Sequence, residues 1–161
     1  AILVGKSIPA TLPFPGNGVL LMELIAGLEG EKAVTVSPGH LSSATGNFGS
    51  DVMSTHEVVL LMELAAREAI RDCLPDGMIT VGTRVDVRHV AAAPLKDRVR
   101  ARARLVEVRD RRLRFRVEAR DPYGLLAEGE NEQRIVSRDG FLERVHRRTR
   151  LLEAERFDTA G

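Results

Sequence analysis

The sequence predicts an α+β fold, a curled antiparallel sheet wrapped around one long, largely buried helix. Three observations carry that reading. Between Ser54 and Cys73 apolar residues recur at helical spacing and spread over more than one face. From Met78 onward, segment after segment alternates apolar and charged residues with a period of two. The order is a short strand, the helix, then four strands, so that one helix and one sheet can cover each other's apolar faces.

Taken in order, residues 1–18 read as extended and turn-rich, ending in Pro13-Phe14-Pro15-Gly16-Asn17-Gly18. Val19–Leu28 is expected to form a short helix, capped by Asn17 and stopped by Gly27 or Gly30. Lys32–Val36 is a short strand closed by Ser37-Pro38-Gly39, and the Ser/Gly/Asn-rich residues 40–54 form a loop. In the main helix, Ser54 and Glu57 have the spacing of a capping box. Val58, Met62, Ala65, Ala69 and Cys73 share one stripe, which Val59, Ala66 and Ile70 widen, and Pro75-Asp76-Gly77 ends the helix.

Met78–Val90 is the next strand. Arg98–Val108 puts Val99, Ala101, Ala103 and Leu105 on one face, with Arg98, Arg100, Arg102 and Arg104 on the other. The phase slips at Leu105-Val106, which predicts a bulge. Beyond the turn Arg109-Asp110-Arg111, Leu113, Phe115, Val117 and Ala119 continue the inward face opposite Arg112, Arg114 and Arg116. Asp121-Pro122-Tyr123-Gly124 turns again, Leu125–Val136 is the last strand, and residues 141–156 form a charged, amphipathic helix. A sheet curled around a central helix is the hot-dog arrangement, whose edge strands commonly pair across a dimer. The organisation read from this is an extension at 1–27, a hot-dog domain at 28–140 and a C-terminal helix within 141–161.

Composition narrows the class. A chain of 161 residues with 43% apolar and 29% charged residues suits one globular domain with a sizeable core. Net charge is +1, so overall charge selects no partner. Residues 97–120 are nevertheless arginine-rich, and seven of these arginines face outward. That stripe reads either as a solvated sheet face or as a surface for phosphates or nucleic acid. It has no interleaved aromatics, which argues against a stacking platform for single strands. Cys73 is the only cysteine, which points to a reducing, cytoplasmic setting without disulfides. No apolar run approaches a membrane span. The first residues lack the basic start and continuous apolar core of a secretory signal.

The octapeptide Val19–Ala26 nearly repeats Val59–Ala66. This makes Glu23 a decoy for Glu63, because Pro15 stands where Thr55 stands relative to Glu63. The hydroxyl is present only in the second copy.

The residues Val52-Met53-Ser54-Thr55, Leu61-Met62-Glu63-Leu64, Thr80-Val81-Gly82-Thr83, Val87-Arg88-His89 and Ala91-Ala92-Ala93-Pro94 occur in that order. With Leu113–Ala119, Gly124, Gly129 and Phe141 they resemble the fluoroacetyl-CoA thioesterase-like branch of the hot-dog superfamily, over roughly residues 28–145. In that family a hydroxyl residue precedes the helix glutamate by eight positions, and a histidine follows it by twenty-six. Thr55, Glu63 and His89 meet both spacings. The resemblance implies hydrolysis of an acyl-CoA or related thioester by a dimer or dimer of dimers, with CoA brought by the substrate and no separate cofactor. Two positions depart from the family's best-known member. Its last-strand arginine near the acyl group is Gln133 here, and its gating phenylalanine is Gly49, with Phe48 beside it.

Each candidate has a plainer reading beside the functional one. Glu63 lies about 80° around the helix and ~12 Å along it from Thr55, among Val59, Ala66 and Ile70. It reads as a partly desolvated base or nucleophile, or as the partner of Arg67 in an i,i+4 ion pair. Thr55 reads as a group that binds the thioester carbonyl or orients water or Glu63, or as an ordinary first-turn hydroxyl. His89 reads as an oxyanion stabiliser or proton donor, or as a satisfied strand-end histidine. Gly82 either lets substrate approach the backbone or marks a bulge. No His/Asp/Glu spacing suggests a metal site. The loop before the helix also lacks the Asp-x-x-x-x-His pattern of a hot-dog hydratase.

Overall fold

The computed structural model describes residues 23–158. The turn-rich segment 1–18, the Asn17 cap and half of the first octapeptide copy lie outside them. Within the described part of the expected helix at 19–28, residues 23–28 are not helical. Ala26 and Gly27 turn instead, with Gly27 at φ 104°, a conformation that glycine adopts without a Cβ penalty.

Five strands form one antiparallel sheet: β1 (Glu29–Thr35), β2 (Met78–His89), β3 (Arg98–Arg109), β4 (Arg112–Arg120) and β5 (Leu125–Ser137). Their spatial order is β1-β3-β4-β5-β2. The long helix α1 (Thr55–Ala69) lies between β1 and β2 in sequence, and α2 (Arg138–Asp158) follows β5. Strand β1 begins three residues before the Lys32 start read from the pattern, because Glu29, Gly30 and Glu31 pair with Arg104, Ala103 and Arg102. The loop at 40–54 contains two short 3-10 turns and is tied back by Leu41–Met53 and Val52–Pro94 bridges.

The inward faces of β3 and β4 are those the alternation predicts. Val99, Ala101, Leu105, Leu113, Phe115 and Ala119 are fully buried. They pack under Val58, Met62, Ala65, Ala66 and Ile70 of the helix segment. Each large member contributes roughly 1.5–3 kcal/mol by leaving water. The helix can approach β1 closely because Gly30 has no side chain; a Cβ there would collide with the backbone of Ala65 and Ala69. The other side of α1 stays open, with Leu60 45% and Leu64 36% exposed.

Both phase slips are real bulges. One falls between Leu105 and Glu107 against β4, the other between Gly82 and Arg84 against β5. Each increases local twist and helps the sheet curl around the helix. Asp110 makes the β3–β4 turn at φ 52°, and Asp121 Oδ1 accepts the N–H groups of Tyr123 and Gly124 at the next turn. The capping box does not form. The Ser54 hydroxyl bonds His56 Nε2 at 3.3 Å, so α1 starts with its cap carbonyl engaged by Glu57 and Val58 but without a side-chain cap. Helix α2 touches the sheet only at its start and carries Leu142, Val145, Leu151 and Leu152 exposed.

Candidate active site

Thr55 is the first residue of α1 and His89 the last of β2. The bridges through Val52, Met53, Ala93 and Pro94 tie the approach to the helix against the segment leaving β2, and so bring these two ends together. Thr55 Oγ1 and His89 Nδ1 are 3.0 Å apart. His89 Nε2 is buried and has no partner among the described residues. A hydroxyl that donates to Nδ1 fixes the hydrogen on Nε2, which then faces the interior as a donor without an acceptor.

Glu63 sits two turns along α1, half-buried, and its carboxylate lies against Gly82. A Cβ built on Gly82 would stand 3.0 Å from Glu63 Oε1. Gly82 φ is not in the left-handed region, so the glycine serves proximity here and not backbone conformation. The bulge reading of Gly82 holds, and the group that approaches it closely here is the Glu63 carboxylate. Arg67 donates to Glu63 Oε1 at 2.7 Å, the i,i+4 pair given as the plainer reading. With Arg67 half-exposed, that pair is a modest contribution to stability. Among the described residues no hydrogen bond joins Glu63 to Thr55 or His89. The site is thus a Thr55–His89 pair at the helix start and a Glu63–Gly82 contact further along.

Gln133 of β5 is the register partner of Gly82 and is fully buried. Its Nε2 donates to Asn131 Oδ1 at 2.9 Å, and Asn131 is itself 2% exposed. Asn131 Nδ2 and Gln133 Oε1 have no partner among the described residues. Sequence reasoning missed Asn131. The signal was available, because Ala127, Asn131, Gln133 and Ile135 fall on one phase of β5, placing two amides on a face that is otherwise apolar.

The loop before α1 carries Gly49 at φ 100° and Phe48 82% exposed. A side chain at position 49 would be strained in that conformation.

Four of the seven outward arginines, Arg100, Arg102, Arg104 and Arg114, are paired with glutamates. Glu31 bridges Arg100 at 3.2 Å and Arg102 at 2.9 Å, and Arg114 reaches Glu107 and Glu130, each at 3.0 Å. Arg104 faces Glu29, Arg120 faces Glu118, and Arg88 bonds Glu128. The hydrogen bond from Arg102 holds the Glu31 carboxyl below its ordinary range. This is a solvated sheet face with much of its charge paired, and it does not favour the reading of the stripe as a nucleic-acid surface.

The sequence model of the family described as fluoroacetyl-CoA-specific thioesterase matches residues 36–139. A fluoroacetyl-CoA thioesterase of Streptantibioticus cattleyicolor is 33% identical over 99 residues, 62% of this chain and 71% of that protein. The solved structure of a fluoroacetyl-CoA thioesterase superposes with a TM-score of 0.72 at 28% identity, over 76% of this chain and 95% of that one. A thioesterase-superfamily protein of Thermus thermophilus superposes with a TM-score of 0.74 at 30% identity, over 80% and 96%. The chain belongs to the fluoroacetyl-CoA-specific thioesterase family and is a thioester hydrolase of hot-dog fold.

Proposed function

We propose that the protein hydrolyses an acyl-CoA thioester, with Thr55, Glu63 and His89 as its reactive groups and Gly82 and Gln133 as substrate-binding positions. The observation that carries this is the His89 ring: Nδ1 is engaged by Thr55, while Nε2 is buried and unpartnered. A donor held that way suits the oxygen of a thioester carbonyl, on which negative charge grows as the carbon is attacked. Glu63, against the glycine across the cleft, takes a proton from water or attacks the carbonyl carbon itself. Collapse of the tetrahedral intermediate breaks the carbon–sulfur bond. Water supplies the hydroxyl of the acid and the proton of the thiol. The Arg67 pair engages one Glu63 oxygen and leaves the second free of that bond.

We place the working unit in residues 28–140 and take it to be cytoplasmic and homodimeric. No helix among the described residues is long and apolar enough to cross a membrane. Strand β2 is a 12-residue edge strand. It carries Val85 44% exposed, and Leu60 and Leu64 are exposed on α1. An edge of that length invites pairing with another edge, and a second copy of β2 is the natural match. Dimers would pair further only through other faces.

The test is release of free thiol from a panel of short acyl-CoA thioesters, fluoroacetyl-CoA included. Hydrolysis well above the uncatalysed rate is expected. A folded protein that hydrolyses none of them would overturn the proposal. Single turnover in oxygen-18 water addresses the two roles of Glu63: direct attack by water labels the acid, whereas an acyl-Glu63 anhydride opened at the Glu63 carbonyl gives unlabelled acid and a labelled carboxylate.

A further inference from the structure

The buried polar atoms along the inner face of β2 and β5 continue from His89 toward Gly82 and Glu63. Beyond His89 Nε2 come Asn131 Nδ2 and Gln133 Oε1, both without partners among the described residues. Leaving a buried amide half unpaired is costly, because the group has given up its water and gained no partner. The conclusion does not depend on which way the two amides are turned. One hydrogen bond between them uses one NH2 and one carbonyl oxygen, and always leaves the other carbonyl oxygen and the other NH2 over.

The free pair is therefore one acceptor and one donor, uncharged, side by side. Its position is fixed by register. Gln133 is directly across from Gly82, and Gly82 touches the Glu63 carboxylate. Neighbouring strands are about 4.8 Å apart. From a carbonyl carbon held at Glu63, that distance is roughly the reach of two or three acyl carbons.

We propose that Asn131 and Gln133 select an acyl group with an uncharged hydrogen-bonding substituent, a hydroxyl on its second or third carbon. A hydroxyl donates and accepts at once, so it satisfies both leftover groups, whereas a plain alkyl chain leaves both unpaired. This inference rests on the thioesterase reading of the same site and names its substrate class.

The experiment compares kcat/KM for matched thioesters: 3-hydroxybutyryl-CoA against butyryl-CoA, and lactoyl-CoA against propionyl-CoA. A site that hydrogen-bonds a substrate hydroxyl discriminates strongly against the analogue lacking it, so a preference of at least about tenfold for one hydroxylated member is expected. Gln133→Leu, and separately Asn131→Leu, should bring that ratio close to one. If a variant does not fold, as judged by its melting curve, the native ratio decides. Hydrolysis of both members at equal efficiency would overturn the inference and leave the thioesterase reading standing. So would a preference that survives both substitutions. Hydrolysis of neither member by folded protein would bring down both readings together.

Discussion

The two faces of the sheet treat their polar groups in opposite ways. On the outer face, arginines of β3 and β4 meet glutamates of β1, β3 and β5 at 2.9–3.7 Å, in water. On the inner face, a histidine and two amides each carry one buried atom without a partner among the described residues. Paired charge at a surface costs little and contributes little. Unpaired polarity in a core is expensive, and it persists where a ligand completes it. The difference teaches that the conspicuous charge pattern is scaffold, and it is the basis for proposing that the inconspicuous polar residues on an apolar face carry the chemistry.

The largest break in that comparison should come from the inner face. His89→Ala removes the proposed donor to the carbonyl oxygen and is expected to lower kcat by about 10²–10³-fold, with KM changing far less, as read in steady-state thiol release. Gly82→Ala is next. Its methyl would stand 3.0 Å from Glu63 Oε1, so the carboxylate must shift by a few tenths of an ångström. Misplacing a reacting group costs up to about 10²-fold, while the melting temperature should hold because no left-handed backbone is involved.

The outer face should prove nearly silent. Arg100→Gln with Arg102→Gln leaves Glu31 unpaired. It should change kcat/KM by less than about twofold and barely move the melting temperature, since exposed pairs are screened by water. A large loss of activity there would reverse the assignment of the two faces.

The smallest effect sharpens the rule itself. Asp97 also holds a buried oxygen without a partner, Oδ2, but it stands at the approach to β3, off the inner ladder. Burial, with help from neighbouring Asp121, pushes its carboxyl above the ordinary range, against the Arg98 N–H bond that lowers it. A raised folded value means that protonation stabilises the fold. That stability is fully present below the ordinary value and is lost as pH rises through the folded one. Asp97→Asn should therefore melt higher at neutral pH, by up to roughly 2–4 °C, with the gap closing in acid and activity unchanged. Were activity to fall, unpaired burial alone would mark function, and position would not matter.

Much of this was legible in the sequence. The alternation of Val99 to Leu105 against Arg98 to Arg104 fixes the β3 faces, because a strand has only two sides. The slip at Leu105-Val106 locates a bulge for the same reason. The spacing of Thr55, Glu63 and His89 places the candidate groups on the right elements. Two local readings failed. Ser54 and Glu57 have a capping-box pattern, but His56 takes the serine hydroxyl, a competition between neighbours that spacing does not resolve. Residues 23–28 have helical composition, yet Gly27 N–H bonds the Leu105 carbonyl at 2.8 Å and the chain turns into β1. There a contact distant in sequence overrides local preference. Asn131 went unread because its meaning depends on Gln133, Gly82 and the helix above, which meet only in the folded sheet.

The central claim is that the inner-face groups around Glu63 hydrolyse a thioester. Thiol release by the native protein and by Glu63→Gln, at matched melting temperatures and saturating acyl-CoA, tests it most directly. The glutamine keeps the size of the side chain and removes its charge. The account predicts a loss of at least about 10²–10⁴-fold, the range for a positioned acid–base group. A folded Glu63→Gln protein that turns over at the native rate would contradict it.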